Sequence, residues 1–373
     1  MKIGFDAKRA FFNNTGLGNY SRNTLSQLFL NYPENEYILY CPSKNYKIKF
    51  SIPNNVRIET PIAITGKLFK TYWRSFLINQ QLIKDKLDIF HGLSNELPFG
   101  ITQTKIKTVV TIHDLIFKRF PNWYKSVDVK IYDKKFKYAA TYSDIIVAVS
   151  KQTADDIHNF YKISYDKIRI IYQSCNPQFY KLFSKEEIKK ILIKYNLPDE
   201  YLLYVGTIEE RKNLHRIVEA LIKSKINFPL VVVGRKTKYY YKKVLPIISA
   251  NKLDKQIFFI DKIDNTELPY IYQAAKVFLY PSIFEGFGIP LLEAQASAVP
   301  VITSKGGCFK EVAGEHSFYV DPLNSDELAD AIFKVLNDKQ LRVEMIEKGR
   351  IQAKKFLDSN SIHQLYKIYE ELL

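Results

Sequence analysis

Residues 277–293, VFLYPSIFEGFGIPLLE, are the part of the sequence that most clearly indicates a fold class. Its first four residues form the apolar and aromatic run of a buried strand, and a loop that contains Gly286 and Gly288 follows. Pro290 suits the first position of a helix, which we expect to run to about residue 297. A strand, a glycine loop and a helix in this order are typical of one unit of a parallel α/β sheet.

Similar units recur along the chain. The sequence predicts strands over residues 2–5, 37–41, 89–91, 108–112, 145–149, 168–172, 201–205, 230–233, 257–260, 277–280 and 299–303. Segments of helical period lie between them, for example residues 17–30, 151–161, 213–223 and 326–337. This alternation predicts doubly wound α/β sheets, and a length of 373 residues predicts two domains.

The boundary between the two domains is predicted near residue 178. The segment YQSCNPQFY at residues 172–180 follows the last strand of the first half and precedes an amphipathic helix. We therefore expect domains over residues 1–178 and 179–373. The last stretch carries apolar residues at helical spacing, and this apolar face needs a partner: Ile362, Leu365, Ile368, Tyr369 and Leu372.

Composition limits the function classes. The net charge is +16, of which +12 falls in residues 1–180, so the partners are expected to be anionic. The three cysteines lie far apart, which excludes a disulfide framework and a recognisable zinc site. Charged residues interrupt the N-terminus too early for a signal peptide, and no apolar run approaches the ~20 residues of a membrane span. A cytoplasmic protein is expected.

A basic segment between Lys118 and Lys137 interleaves lysines with aromatic residues such as Trp123 and Tyr132. Two interpretations have similar weight: a solvated helix face, and a patch that binds an anionic membrane, where each basic residue contributes ~1 kcal/mol. A nucleic-acid surface is the weaker option, because neither half shows a recognised nucleic-acid module. We expect an anionic membrane surface as a partner and no nucleic acid.

The candidate site residues follow strands. Glu285 lies in the loop after strand 277–280 and Glu293 about one turn inside the next helix, at the carboxyl end of a parallel strand where α/β ligands bind. The N-terminus of that helix is an anion site. Arg211 and Lys212 follow strand 201–205 and could offer two positive charges to a ligand. The alternatives are two surface glutamates in an ordinary turn, and a basic pair that caps a loop.

These residues carry a family resemblance. EGFGIPLLE at residues 285–293 resembles the E-x7-E motif of the retaining glycosyltransferases of family 4, which have the GT-B fold. Four further motifs occur in the order that this family shows: TGLGNY from Thr15, TIHDLIFKRFPNWY from Thr111, AVSKQTADDI from Ala148 and YVGTIEERKNLHRIVEAL from Tyr204. The resemblance spans nearly the whole chain and implies two Rossmann-like domains that face a central cleft, the first binding the acceptor and the second the nucleotide sugar. It also implies that the C-terminal helix packs back toward the first domain.

The resemblance also implies roles for individual residues. It assigns catalytic roles to His113, Glu285, Arg211 and Lys212. It assigns donor binding to Gly16, Gly18, Gly206, Ile263, Gly286, Phe287, Gly288, Ile289 and Glu293. Arg211 and Lys212 would bind the leaving diphosphate, Glu293 the ribose diol and Glu285 a sugar hydroxyl.

The reaction implied is transfer of a hexose with retention, in which the leaving phosphate takes the acceptor proton. No Asp-x-Asp occurs in the sequence, so no metal and no other cofactor is expected. The opening residues and the IHDL loop resemble the mannosyltransferase branch, which favours GDP-mannose as donor and a lipid-linked or nascent polysaccharide as acceptor, on the inner face of the cytoplasmic membrane. Rivals are a sugar-nucleotide epimerase, a sugar-phosphate synthase and a non-catalytic nucleic-acid or membrane-binding protein.

Overall fold

The computed structural model describes residues 1–13, 15–48, 50–61 and 66–373. Their contacts divide the chain into unit 1, which holds Met1–Gln173 and Asp358–Leu373, and unit 2, which holds Ser174–Leu357. Each unit is built on a parallel sheet with helices between its strands. The predicted pair of doubly wound α/β domains is therefore confirmed.

Unit 1 contains a seven-stranded sheet. Its strands are β1 (Lys2–Asp6), β2 (Glu36–Tyr40), β3 (Val56–Glu59), β4 (Ile89–Gly92), β5 (Lys107–Ile112), β6 (Ile145–Ala148) and β7 (Ile168–Ile170). The strand order is β3-β2-β1-β4-β5-β6-β7, and every pairing is parallel. Apolar side chains on both faces of the sheet are covered by separate core clusters, which is why the central strands read as continuous apolar runs.

The first seven helices belong to unit 1. They are α1 (Lys8–Phe12), α2 (Gly16–Asn31), α3 (Lys67–Tyr72), α4 (Ile78–Lys84), α5 (Ile116–Arg119), α6 (Ser126–Tyr142) and α7 (Lys151–Tyr161), and a π-helical turn (Trp73–Leu77) joins α3 to α4. The hydroxyl of Ser150 caps α7 by accepting a hydrogen bond from the Thr153 amide.

Unit 2 contains a six-stranded sheet. Its strands are β8 (Tyr201–Val205), β9 (Leu230–Val233), β10 (Ile257–Ile260), β11 (Ala275–Tyr280), β12 (Val301–Ser304) and β13 (Phe318–Val320). The order is β10-β9-β8-β11-β12-β13, again with parallel pairings. The short strands β3 and β13 were not predicted from the sequence.

Eight helices complete unit 2. They are α8 (Lys185–Lys194), α9 (Leu214–Ser224), α10 (Leu245–Ala250), α11 (Leu268–Gln273), α12 (Ile289–Ala296), α13 (Phe309–Ala313), α14 (Ser325–Asn337) and α15 (Lys339–Lys354). A capping box of Ser184 and Glu187 fixes the start of α8, the first α-helix of unit 2.

Each sheet reverses its winding direction once. In unit 2 the chain runs from β8 outward to β10 and then returns to β11 on the other side of β8. In unit 1 the same reversal occurs between β1 and β4. Because the loops after the two strands diverge at such a point, a crevice opens there at the carboxyl edge of the sheet. The loops after β8 and β11 carry Arg211, Lys212 and Glu285.

The terminal helix α16 (Asp358–Glu371) belongs to unit 1. Ile362, Leu365, Ile368 and Tyr369 are buried in the same core cluster as Ile3 and Phe5 of β1, which confirms that this helix packs back onto the first domain. The prediction of a second domain over residues 179–373 is corrected in two respects. The division falls between Gln173 and Ser174, and α16 leaves the second unit because its apolar face is covered by the first.

The basic segment lies on α5 and α6. Three of its cations form ion pairs within unit 1: Lys118 with Asp133, Arg119 with Asp156, and Lys135 with Glu96. Part of its charge is therefore compensated. No helix within the described part of the chain has both the length and the apolar character that crossing a membrane requires.

Candidate functional site

Two loops meet at the reversal point of the second sheet. Arg211 and Lys212 lie in one 3-10 turn (Glu210–Lys212) after β8, and Glu285 lies in the loop between β11 and α12. The Ile283 amide donates to the Arg211 carbonyl at 2.9 Å, and the Asn213 side-chain amide donates to the Pro281 carbonyl at 2.9 Å. These two hydrogen bonds hold the two loops together although the residues are about seventy positions apart in sequence.

Glu285 joins both cations. Its Oε2 lies 2.6 Å from Arg211 Nη1, and its Oε1 lies 2.6 Å from Lys212 Nζ and 3.0 Å from the hydroxyl of Tyr280. Arg211 also donates to the Phe284 carbonyl at 2.8 Å, and its other nitrogen pairs with Glu209 at 2.7 Å. The Lys212 ammonium lies 4.7 Å from the centre of the Tyr280 ring. All three charged groups are thus held in fixed positions.

The electrostatics of this cluster are set by burial and pairing. Glu285 is 8% exposed, and burial alone would raise its pKa, but Arg211 and Lys212 lower the pKa to about 2. Burial lowers the pKa of Lys212, and the adjacent Glu285 opposes that shift. For Arg211 the two glutamates outweigh burial and raise its pKa. Glu285 therefore stays ionised throughout the neutral range.

Glu285 retains acceptor capacity. An ionised carboxylate offers about four lone-pair positions, and the contacts above occupy three of them. The position left is on Oε2, which has Arg211 as its partner. A ligand hydroxyl could donate there without breaking an ion pair.

Glu293 has a different environment one turn inside α12. Its Oε2 accepts a hydrogen bond from the Tyr272 hydroxyl at 2.8 Å, and Oε1 has no hydrogen-bond partner among the residues that the structure describes. Burial raises the pKa of Glu293 to about 7, against the smaller opposite effects of Tyr272 and Lys212. The carboxyl group can therefore change its protonation state near neutral pH.

The loop that precedes α12 contains Gly286, Phe287 and Gly288, and α12 begins at Ile289. Gly288 has φ +101°, a left-handed conformation that a side chain would strain, and an added Cβ would lie 3.1 Å from Leu291 Cδ1. Phe287 is buried and its ring packs edge-on against Phe356 at 5.8 Å between centroids. Pro290 occupies the first turn of α12, as predicted.

The thiol of Cys308 contacts the loop between β11 and α12. This thiol is fully buried and lies 3.0 Å from the Phe287 carbonyl oxygen and 3.3 Å from the Glu285 carbonyl oxygen. Burial raises the pKa of Cys308, so the group is a protonated donor rather than a nucleophile.

The remaining predicted residues of unit 2 lie on the same edge of the sheet. Gly206 follows β8, donates its amide to the Val233 carbonyl at 2.9 Å and would place a Cβ 3.8 Å from Lys212 Cδ. Ile263 follows β10 and is half-buried. Nearby, Lys236 lies 3.8 Å from Asp261 and packs its ammonium on the Phe259 ring at 4.7 Å.

The other predicted residues belong to unit 1. His113 directly follows β5 and is 5% exposed. Its Nε2 bonds the Leu93 carbonyl at 2.9 Å and its Nδ1 bonds the Gln173 side-chain amide at 2.9 Å. Burial lowers the pKa of His113 to about 4, although the Leu93 carbonyl opposes this. The imidazole is therefore neutral at physiological pH.

Gly16 and Gly18 form the first turn of α2. An added Cβ at Gly18 would lie 1.9 Å from the Asn13 carbonyl oxygen, so packing alone requires glycine there. At Gly16 such an atom would have no neighbour within 4 Å. The space beside the Gly16 Cα is therefore free of packed atoms and could admit a ligand.

The structure therefore brings Arg211, Lys212, Glu285 and Glu293 to one edge of the second sheet, and His113, Gly16 and Gly18 to the carboxyl edge of the first. Sequence reasoning missed Tyr280, Tyr272, Cys308 and Gln173, whose roles depend on long-range contacts. Of these four residues, only Tyr280 could have been found from the sequence, because it is the last residue of a predicted strand.

Within the described ranges, no group of three or more His, Cys, Asp or Glu side chains is arranged to hold a metal ion.

Comparison with known proteins gives consistent matches. A family model described as Glycosyltransferase Family 4 matches residues 33–179, and one described as Glycosyl transferases group 1 matches residues 184–352. The O-antigen chain mannosyltransferase B of Escherichia coli is 27% identical over 389 aligned residues, which cover 100% of each chain.

Solved structures share the fold. Sucrose-phosphate synthase from Thermosynechococcus elongatus superposes with a TM-score of 0.80 at 19% identity and covers 100% of this chain and 99% of its own. HepE from Anabaena, in complex with UDP and glucose, gives 0.75 at 16% identity with coverage of 100% and 99%. The predicted GT-B fold is thereby confirmed.

Proposed function

Because this chain belongs to the group 1 glycosyltransferases, we propose that it transfers a hexose, mannose in the first instance, from a nucleotide sugar to a lipid-linked or nascent polysaccharide acceptor, with retention of configuration. The chain is an enzyme of the glycosyltransferase class.

One observation carries the proposal: Glu285 lies 2.6 Å from both Arg211 and Lys212 at the point where the second sheet reverses. Two cations fixed by a carboxylate form a preorganised site for a group that gains negative charge. A nucleoside diphosphate leaving a sugar is such a group. The remaining lone pair of Glu285 suits a sugar hydroxyl, and Glu293 Oε1 suits the ribose diol.

Each residue then has a task in the transfer. Arg211 and Lys212 stabilise the diphosphate as the glycosidic bond breaks, because charge-assisted hydrogen bonds strengthen when the phosphate becomes more negative. The diphosphate is also stabilised by the backbone at the start of α12, where the amides and the helix dipole favour an anion: Gly286, Phe287, Gly288 and Ile289. Gly206 keeps the end of β8 clear beside Lys212, and Ile263 is assigned to the nucleoside base.

We propose that no metal ion takes part. Arg211 and Lys212 supply the positive charge that a divalent ion gives in other transferases, and the sequence has no Asp-x-Asp. Transfer is expected to continue in excess EDTA.

The proposal of mannose, and of GDP-mannose as its donor, has support from a relative. The full-length match at 27% identity is named an O-antigen chain mannosyltransferase, and the opening residues of this chain resemble the same branch. We propose that His113 contacts the donor sugar or its phosphate, and that Gly16 and Gly18 contact the donor phosphate.

A lipid-linked acceptor requires a membrane surface, and unit 1 presents a suitable one. On α6 the exposed Val127 and Ile131 alternate with Lys130, Lys134 and Lys137, which form no ion pairs within the described part of the chain. We name these five residues the α6 surface and propose that it binds the anionic inner face of the cytoplasmic membrane. Apolar side chains among lysines suit a headgroup layer that carries negative charge.

The test is a transfer assay with a panel of sugar nucleotides, including GDP-mannose and UDP-glucose, with and without membranes that carry lipid-linked saccharide. Nucleoside diphosphate release and the mass of the product are both measured. We expect one donor to be used only when the acceptor is present, and Glu285→Gln to lower transfer at least about a hundredfold, as loss of a buried charged contact does.

The rivals give different results. Conversion of a sugar nucleotide with no acceptor would show an epimerase, and transfer to a free sugar phosphate would show a synthase. Binding of nucleic acid with a steep salt dependence and no use of any sugar nucleotide would support a non-catalytic protein. Near-normal transfer by Glu285→Gln would contradict the site.

A further inference from the structure

The imidazole of His113 is held from both sides by unit 1. Because the Leu93 carbonyl can only accept, Nε2 carries the proton, and Nδ1 accepts from the Gln173 amide. The His113 amide donates to Asn95 Oδ1 at 2.7 Å, and the Thr153 hydroxyl donates to the His113 carbonyl at 3.3 Å. The ring thus has one tautomer and one orientation.

A first chain of contacts, three hydrogen bonds and one ring contact, leads from the terminal helix to this ring. The Tyr369 hydroxyl of α16 lies 2.6 Å from His91 Nδ1, and His91 Nε2 lies 2.8 Å from the Thr111 hydroxyl. The Thr111 hydroxyl lies 3.2 Å from the hydroxyl of Tyr20, whose ring packs edge-on against the His113 ring at 4.7 Å. His91 also lies two residues before Leu93. We therefore expect the position of His91 to affect the position of the Leu93 carbonyl, to which His113 is hydrogen-bonded.

A second connection runs through the point where the chain leaves unit 1. The hydroxyl of Ser361 in α16 donates to the Tyr172 carbonyl at 2.8 Å. The next residue, Gln173, is the last of the first segment of unit 1 and bonds His113 Nδ1. The terminal helix therefore contacts two residues close in sequence to the partners of His113: His91, two residues before Leu93, and Tyr172, next to Gln173.

We propose that the terminal helix is a positioning element for His113, and that Tyr369 and Ser361 are positioning residues that maintain its neutral Nε2–H tautomer and its orientation. The importance of this positioning for sugar transfer rests on the proposed function, whereas the contacts that position His113 are independent of it. A buried polar chain is costly unless every member has a partner, so its presence in the core of unit 1 calls for a role beyond packing.

A second tyrosine on the same helix provides a matched control. Tyr366 is buried beside Tyr369, stacks on Tyr32 at 3.5 Å, and its hydroxyl contacts Asn35 and Glu34. None of these contacts leads to His113. Tyr369→Phe and Tyr366→Phe each remove one hydroxyl from the same helix while they keep the ring.

The experiment measures long-range proton–nitrogen NMR correlations of the six histidine rings in the full-length protein, together with kcat, KM and nucleotide binding. His113 in the wild type should show the neutral Nε2–H pattern. We expect Tyr369→Phe to mix the His113 tautomers and to lower kcat about tenfold, the effect of one lost hydrogen bond, and to lower nucleotide affinity by a smaller factor. Tyr366→Phe should leave both readouts as in the wild type.

Ser361→Ala serves as the second variant if Tyr369→Phe fails to fold, since it removes one hydroxyl outside the core; it should change the His113 correlations through Gln173. Identical His113 spectra in the wild type, Tyr369→Phe and Ser361→Ala would overturn the proposal. If no donor is used at all, the proposed function fails, while the spectra still decide whether the terminal helix positions His113.

Discussion

At the scale of single residues, Glu285 and Glu293 belong to one strand–loop–helix segment, yet their carboxyl groups have opposite pKa shifts. Arg211 and Lys212 lower the pKa of Glu285, whereas burial raises that of Glu293. Glu285 is thus a permanent anion that orders two cations. Glu293 is an acceptor whose charge depends on pH in the neutral range.

The ionised form of the buried Glu293 lowers the stability of the folded protein. With a folded-state pKa of about 7, above its ordinary value of 4.5, the folded protein binds the proton more tightly, so stability falls as pH rises from about 4.5 to 7. Glu293→Gln removes this cost. We expect thermal unfolding at pH 8 to show a gain of about 1–3 kcal/mol, and at pH 4.5 almost none.

A carboxylate at the opposite edge of the sheet is the control for this effect. Glu200 precedes β8, is exposed and pairs with Lys276 at 2.8 Å, so Glu200→Gln should change stability by less than about 0.5 kcal/mol at both pH values. A gain by Glu293→Gln that is equal at pH 4.5 and pH 8 would contradict the shifted pKa.

At the scale of elements, the loop between β11 and α12 depends on Cys308 at the start of α13. We predict that Cys308→Ala lowers stability by about 1–2 kcal/mol and weakens nucleotide binding, because two loop carbonyls lose their donor and a small cavity forms. Cys308→Ser keeps a donor and should bind nucleotide more tightly than Cys308→Ala. Calorimetry and thermal unfolding measure both effects.

Cys41 is the matched control for that prediction. Its thiol is also fully buried and bonds the Ser43 carbonyl at 3.1 Å, but it lies in unit 1. Cys41→Ala should cost a similar amount of stability with nucleotide affinity unchanged. Equal affinity of Cys308→Ala and Cys41→Ala would show that the thiol does not order the loop.

Much of the fold follows from local sequence. Each apolar run that was predicted as a strand is a strand in the structure. The loop glycines and Pro290 indicated where α12 begins. Both predictions rest on conformational preferences that act over a few residues. That Arg211, Lys212 and Glu285 lie on one sheet edge also followed from strand order in parallel sheets. Their mutual ion pairs depend on β8 and β11 being neighbours, which no local pattern states.

Other parts required the tertiary structure. Cys308 and Tyr272 act through contacts with residues that are distant in sequence, so their sequence neighbourhoods gave no sign of a role. The terminal helix carried a visible apolar face, but the periodicity of that face did not specify its partner. The family resemblance predicted that this helix packs back toward the first domain, but no local pattern showed that the division between the units falls between Gln173 and Ser174.

At the scale of the whole molecule, charge is uneven, with +12 in residues 1–180 and +4 in the rest. Ion pairs remove part of this excess from the segment 118–137, which leaves Lys130, Lys134 and Lys137 on the α6 surface. We predict that Lys130→Glu/Lys134→Glu weakens binding to vesicles containing anionic lipid at least about tenfold, since each lysine contributes ~1 kcal/mol.

The same charge reversal elsewhere tests whether location matters. Lys189 and Lys190 lie exposed on α8 of unit 2, so Lys189→Glu/Lys190→Glu changes net charge equally. Sedimentation with vesicles should show near-normal binding for this control. If both double variants lose binding to the same extent, net charge alone explains the interaction and the α6 surface has no special part in it.

We propose that the Arg211–Lys212–Glu285 cluster binds the diphosphate of a nucleotide sugar. This binding is tested by calorimetric titration of GDP, UDP, ADP and GDP-mannose into the wild type, Lys212→Met and the control Lys255→Met, whose lysine lies exposed at the amino edge of the same sheet. We predict that one nucleotide binds the wild type and Lys255→Met alike and binds Lys212→Met at least about tenfold more weakly, the effect of one lost charged hydrogen bond. Binding of no nucleotide, or equal binding by all three proteins, would contradict the account.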